Sequence, residues 1–269
     1  MQEINLKFNK KNYRLEESFK NLRTNIQLCG SDNNIIMFTS CSPNEGKSSV
    51  SINLARALAE SGKKVIFIDA DLRKSVLVGR YGVRGHINGL SHYLAGQCTL
   101  EEVVCRTNVE RLNVIFSGVV PPNPAELLDS KLFRALIPAF KAHYDYVIID
   151  TPPLGNVIDA AIIAQSCDAA VLVVSAGDVS RKFAQLTLEQ LKKTDCKILG
   201  VVLNKVDMRE NGYYGKYYGK YYGKYYGNYS NHSSETSAAD DAGTKADGDG
   251  NKPADKRTTD RKTADKNSR

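Results

Sequence analysis

The sequence has no CxxC pair and no zinc-ligand spacing among its six cysteines (Cys29, Cys41, Cys98, Cys105, Cys167, Cys196) and four histidines. A zinc site or a dithiol redox centre is therefore not written into it, and the cysteines read as reduced, mostly buried thiols of a cytosolic protein. The N-terminal stretch MQEINLKFNKKNYRLEES lacks the apolar core of a signal peptide. The longest apolar run, Ala169 to Val174, falls far short of the roughly 20 residues a spanning helix needs, so the chain is not expected to cross a bilayer by itself. Positive charge is in excess, at a formal +7, but no one block gathers it, which is a weak footprint for nucleic acid. The last stretch, Ser230 to Arg269, contains no large apolar residue and cannot order itself by burial.

An apolar fraction of 42% nevertheless suits a folded core. Residues 13–28 carry Leu15, Phe19, Leu22 and Ile26 at helical spacing, with Glu17, Lys20 and Arg23 opposite. Short apolar runs follow at Ile35–Cys41, Val65–Ile68, Leu112–Phe116, Tyr146–Ile149, Ala169–Val174 and Ile198–Leu203. Each has the continuous character of a strand buried on both faces of a parallel sheet. Between them the spacing predicts helices over Ser48–Ser61, over Glu126–His143 with a kink at Pro138, and over Ser180–Lys193. Residues 79–111 are glycine-rich and suggest two short helices, and GVVPPNP at 118–124 reads as a rigid loop. Alternating strands and helices of this kind mean an α/β fold with a mostly parallel sheet flanked by helices.

The chemistry gathers at strand ends. Cys41 to Val50, CSPNEGKSSV, lies between the first strand and a helix, the context in which a GK[ST] tripeptide cradles nucleotide phosphates. Lys47 would reach the β/γ-phosphates from a solvated loop with no part in the core, and the Ser48 hydroxyl would ligate Mg²⁺. Cys41 stands where the strict pattern has its first glycine. Asp69 and Asp71 end the next strand, and Asp150 ends the one at Tyr146, so all three acids share a rim with the phosphate loop. Asp150 matches the carboxylate that holds the metal's water shell. One of Asp69 and Asp71 could support the metal while the other accepts a proton from an attacking hydroxyl. The alternative for this pair is plain helix capping. Asn204 could hydrogen-bond the base, or be an ordinary turn asparagine.

Beyond Asp207 the sequence becomes YYGK YYGK YYGK YYGN and then Tyr229, which gathers nine of the fourteen tyrosines. Together with TSCSPNEGKSS, VIFIDADLRKS and YVIIDTPP, this resembles the bacterial tyrosine kinases, P-loop enzymes unrelated in fold to eukaryotic-type protein kinases, across roughly residues 13–229. The resemblance implies a P-loop NTPase-type domain with a disordered C-terminal tail, binding ATP through Pro43, Asn44, Glu45, Gly46, Lys47, Ser48, Ser49 and Asn204. It implies Asp69 as the base on the tyrosine hydroxyl, with Lys47 and Asp71 completing the catalytic set, and Mg²⁺ on Ser48, Asp71 and Asp150. Tyr213, Tyr214, Tyr217, Tyr218, Tyr221, Tyr222, Tyr225, Tyr226 and Tyr229 would be the autophosphorylated residues.

The family's E-x-x-R-x-x-R oligomerisation motif reads here from Glu17 to Arg23, with Lys20 in place of the first arginine; lysine cannot reproduce a bidentate guanidinium contact. The implied organisation is an oligomerisation helix (1–30), a kinase domain (31–210), a tyrosine cluster (211–229) and a tail (230–269). The implied partners are a transmembrane activator acting through its cytosolic tail, a homo-oligomer or ring, a phosphotyrosine phosphatase and protein substrates, with no nucleic acid. The setting is cytoplasmic, at the inner face of the plasma membrane, in the control of capsular or extracellular polysaccharide export. The competing reading is a partitioning or septum-placement ATPase, but those carry a signature lysine where this chain has Ser42. A third reading makes the chain a binding module whose Lys-Tyr tail stacks on single strands or seats in a membrane interface.

Overall fold

The structure, a computed structural model, describes residues 1–8 and 12–207, and the tyrosine cluster lies outside the described residues. Six apolar runs become strands β2 (Ile35–Ser40), β3 (Val65–Asp69), β5 (Leu112–Ile115), β6 (Tyr146–Asp150), β7 (Ala169–Ser175) and β8 (Lys197–Asn204). Two three-residue strands, β1 (Gln2–Ile4) and β4 (Cys105–Thr107), complete an eight-stranded sheet in the order β1-β4-β5-β3-β6-β2-β7-β8. Every pairing is parallel except β4 with β5.

The continuous apolar runs have a direct structural cause. Within β2, Ile35 and Met37 face one layer of helices while Ile36 and Phe38 face the other, so alternate residues enter two separate cores. One core packs α1 (Tyr13–Leu28) and α2 (Lys47–Glu60) on the sheet. The other packs α4 (Leu90–Leu94), α6 (Pro124–Leu128), α7 (Lys131–Lys141) and α8 (Asp159–Ala164). The last helix, α9 (Arg181–Lys192), covers the edge beside β7. All six cysteines are free and none is exposed.

Several sequence expectations change. The single helix expected over Glu126–His143 is two: α6 ends at Leu128, and Ser130 restarts the chain as α7 by accepting the Phe133 N–H at 3.2 Å. Pro124, expected in a rigid loop, opens α6, where its missing N–H costs nothing. α7 then runs through Pro138, so the interruption falls at the serine cap and not at the proline. The glycine-rich region 79–111 holds the two short helices expected, α4 and α5 (Leu100–Val103), while a further one, α3 (Leu77–Arg80), begins just before it and the strand β4 was not expected. In α1 only Ile26 is fully buried, and Leu15 remains half exposed. Among the described residues no helix is long and apolar enough to cross a membrane.

Register sets the rest. β6 is inserted between β2 and β3, and it pairs Asp150 with Phe38 on one side and with Asp69 on the other. Two carboxylates therefore end neighbouring strands, directly beside the loop that leaves β2.

Candidate active site

The loop from Cys41 to Gly46 is held by its own glutamate. Glu45 Oε2 accepts the Cys41 and Ser42 N–H groups at 2.6 and 2.9 Å, and Oε1 accepts the Ser175 N–H from the end of β7 at 3.4 Å. Its side chain is buried and turned into the loop, so any contact it offers a nucleotide comes from its backbone. Asn204, the last residue of β8, donates from Nδ2 to the Glu45 carbonyl at 2.8 Å. Gly46 is required twice over. Its φ is +91°, and a Cβ there would stand 2.2 Å from Asn204 Nδ2. Pro43 and Asn44 form the exposed crest, Asn44 at φ 66°. The Ser49 hydroxyl accepts from Arg80 at 2.7 Å.

Cys41, the departure from the strict motif, has no left-handed backbone to demand a glycine. The close approach occurs across from it: a Cβ on Gly155 would stand 2.3 Å from the Cys41 carbonyl oxygen.

Lys47 is not in a solvated loop. It is the first residue of α2 and is 8% exposed, with Nζ 3.1 Å from Asp71 Oδ2, 3.5 Å from Asp150 Oδ2 and 3.2 Å from Ser48 Oγ. The expectation fails because β6 brings Asp150 under the helix start, where Ser51, one turn on, also donates to Asp150 Oδ1 at 3.4 Å. Burial would lower the Lys47 pKa, but Asp150, Asp71 and Asp69 outweigh it and hold the ammonium above the ordinary lysine value. Burial in turn raises Asp150, against the opposing pull of Lys47.

Asp69 stands apart from this ion pair. Its carboxylate accepts from the Ser75 hydroxyl and from the Asp71 N–H, the latter at 3.3 Å. Complete burial, and then the Asp150 charge beside it, push it up to about 7, against the pull of Ser75 and Lys47. A carboxyl balanced there can exchange a proton near neutral pH. Thus the three acids, Lys47 and Ser48 come together as the motif spacing implied. Ser51, Ser75, and the Arg73–Asp159 pair that closes the turn after β3 were not foreseen. Of these only Ser51 had a sequence signal, lying four residues after Lys47 on one helix face.

Ser48 Oγ, Asp71 and Asp150 all direct oxygen at the single Lys47 ammonium, so the site already gathers hard donors around a cation. Such donors suit Mg²⁺. No group of three or more His, Cys, Asp or Glu among the described residues could hold a metal ion, so a divalent cation here would need phosphate oxygens as well.

The oligomerisation residues separate. Glu17 and Lys20 form an exposed pair at 3.3 Å, whereas Arg23 Nη1 donates to the Ala57 carbonyl of α2 at 3.1 Å and ties α1 to its own domain. A cavity of about 470 Å³ lined by Lys64, Glu101, Arg111, Phe140 and Tyr144 opens at the opposite, amino end of the strands and contains none of Asp69, Asp71 and Asp150.

A model of the AAA domain matches residues 33–199. The tyrosine-protein kinase CpsD of Streptococcus agalactiae is 47% identical over 206 residues, spanning 75% of this chain and 90% of that protein. The solved kinase domain of the Escherichia coli tyrosine kinase ETK aligns with a TM-score of 0.70 at 32% identity, over 79% of this chain and 92% of that one. The septum site-determining protein MinD of Pyrococcus horikoshii, complexed with Mg-ADP, aligns with a TM-score of 0.57 at 30% identity, over 66% and 72%.

Proposed function

This chain belongs to the bacterial tyrosine-protein kinases, and from that premise we propose that it phosphorylates the tyrosines between 213 and 229 of its own C-terminus, with Asp69 as the base. The observation that carries the residue assignment is the division of labour among the acids. Asp71 and Asp150 face Lys47, while Asp69 is left as a neighbour of both with its carboxyl near neutrality.

The loop N–H groups at the start of α2 and the Lys47 ammonium bind the phosphates. Ser48, Asp71 and Asp150 would hold Mg²⁺, which when bound would neutralise charge on the phosphates. Lys47 exchanges its carboxylate partners for phosphate oxygens. Asp69 accepts the proton of the tyrosine hydroxyl as that oxygen bonds to the γ-phosphorus and the bond to ADP breaks. Ser75 fixes the Asp69 rotamer, and because Asp69 is fully buried the turn after β3 has to open for the tyrosine hydroxyl to reach it. In this reading Asn204 also hydrogen-bonds the base; its Nδ2 donates to the Glu45 carbonyl of the loop.

The same reading places the chain at the inner face of the plasma membrane, recruited by the cytosolic tail of a transmembrane activator. It assembles there as a homo-oligomer, is reset by a phosphotyrosine phosphatase and acts on other tyrosine substrates, in control of capsular or extracellular polysaccharide export. The support is the family resemblance of the motifs, together with the exposed Glu17–Lys20 pair on α1.

Purified protein incubated with ATP, Mg²⁺ and an activator fragment should yield ADP together with phosphotyrosine between residues 213 and 229, read by mass spectrometry. Asp69→Asn should lower phosphotransfer by about 10²–10⁴ while largely sparing Mg-nucleotide binding. ADP without phosphotyrosine would favour the switch-ATPase reading. Loss of nucleotide affinity in Asp69→Asn would make that residue part of the metal site.

A further inference from the structure

Asp159, the first residue of α8, is a carboxylate with no solvent exposure. Both of its oxygens are taken by one side chain: Arg73 Nε at 2.7 Å and Arg73 Nη2 at 2.8 Å. This fork-on-fork pairing fixes direction as well as distance. It also joins two loops that nothing in the sequence connects, the turn after β3 and the segment that follows β6 and Asp150.

The turn after β3 has a specific job. Asp71 Oδ1 accepts the backbone N–H groups of Arg73 and Lys74 at 3.3 and 3.0 Å, which leaves Oδ2 to face Lys47 at 3.1 Å. The orientation of Asp71 is therefore set by the backbone at Arg73, and that backbone is anchored through its side chain to Asp159. We propose that Arg73 is a positioning residue, a clamp on Asp159 that fixes the turn holding Asp71, so that Asp71 presents one defined oxygen to the cation beside the nucleotide. The proposal rests on the reading of Asp71 as part of the Mg²⁺ site. It adds that the carboxylate is useful there only while the clamp is closed.

The chemistry makes Lys a poor substitute. A lysine ammonium can meet one Asp159 oxygen but cannot span both in a plane. Partners that orient a metal's ligands typically change metal affinity or activity by about 10–100-fold when removed. A bond that only steadies the fold would lower stability and leave the metal linkage intact.

The test measures binding of a fluorescent ADP analogue with Mg²⁺ and with EDTA, in wild type, Arg73→Lys and Asp159→Asn. Because Arg73→Lys leaves one buried Asp159 oxygen without its donor and Asp159→Asn leaves the guanidinium without its counter-charge, either can lower stability, so Arg73→Met/Asp159→Leu is included, which removes both charges at once. The expected result is unchanged affinity in EDTA, with the gain conferred by Mg²⁺ reduced about 10-fold or more in all three variants and kcat reduced in parallel. The double variant should be no worse than the single ones. A full Mg²⁺ gain in a folded variant overturns the clamp, as does an equal loss of affinity with and without Mg²⁺. A wild-type protein whose ADP affinity ignores Mg²⁺ overturns the metal-site reading first, and the clamp with it.

Discussion

Replacing Lys47 by methionine should destabilise the protein as well as silence it. Methionine keeps the length of the stem, so packing changes little. What is lost is the cation between Asp71 and Asp150, of which Asp150 is 1% exposed. Removing one partner of a buried pair costs about 3–5 kcal/mol. The cost has a ceiling, because the stranded carboxylate can take up a proton. For a group of ordinary pKa about 3.9, protonation costs about 5 kcal/mol at pH 7.5 but only about 1.5 at pH 5. We therefore expect Lys47→Met without nucleotide to lose about 3–5 kcal/mol at pH 7.5, or about 6–20 °C in melting temperature. At pH 5 the loss should be no more than about 6 °C. Thermal melts followed by circular dichroism at the two pH values measure this. A variant that melts with the wild type at pH 7.5, or whose loss is the same at both pH values, would refute the buried counter-charge. A null phosphotransfer result for this variant should accordingly be read beside its melt.

Asp69 makes a second pH prediction. Its folded pKa of about 7 lies above its unfolded value, so the folded state holds a proton that the unfolded state releases. That contribution is complete below about pH 4 and is lost as pH rises through about 7. Asp69→Asn should therefore flatten the decline in melting temperature of the nucleotide-free protein between pH 5 and pH 8, and an unchanged slope would show that Asp69 is not the titrating group. Glu45→Ala leaves the N–H groups of Cys41, Ser42 and Ser175 without their acceptor. It should cost about 1–3 kcal/mol for each such group that stays buried and weaken nucleotide binding, read by melting and ADP titration. Charge reversal at Glu17 with Arg23→Gln should shift sedimentation towards monomer; since Arg23 also ties α1 to α2, Glu17→Arg alone should give the same shift if α1 is an interface. Phosphorylating all nine clustered tyrosines adds about −13 to −18 charges. Native mass measurement should then show the assembly come apart after ATP treatment, and a variant with all nine changed to Phe should stay assembled.

What could be read in advance follows the length scale of the interactions. β2, β3 and β6 were legible because burial on both faces keeps the first four positions of each apolar. β1 and β4 were not, since three residues carry no period and their pairing is supplied by β4 and β5. The three acids could be placed on one rim from strand ends alone. That Lys47 would be buried among them could not, because it depends on β6 entering between β2 and β3, a matter of strand order. Glu45 has the same history: four residues from Cys41, it looks like loop surface until Ser175 arrives from β7. Arg73 and Asp159 lie 86 residues apart, and no local pattern links them.

The contact between Gly155 and the Cys41 carbonyl also constrains the order in which substitutions can be accepted. Only the carbonyl of residue 41 is approached, so its side chain can shrink to alanine or glycine at the cost of a void beside Leu172 and Val174. Gly155 has no such freedom, because any Cβ meets the Cys41 backbone at 2.3 Å and the Phe183 ring at 2.8 Å. A path that first enlarges residue 155 is closed until the phosphate loop itself moves, whereas one that begins at residue 41 is open from the start. The constraint that a sequence pattern assigns to the first loop position is enforced on the loop after Asp150.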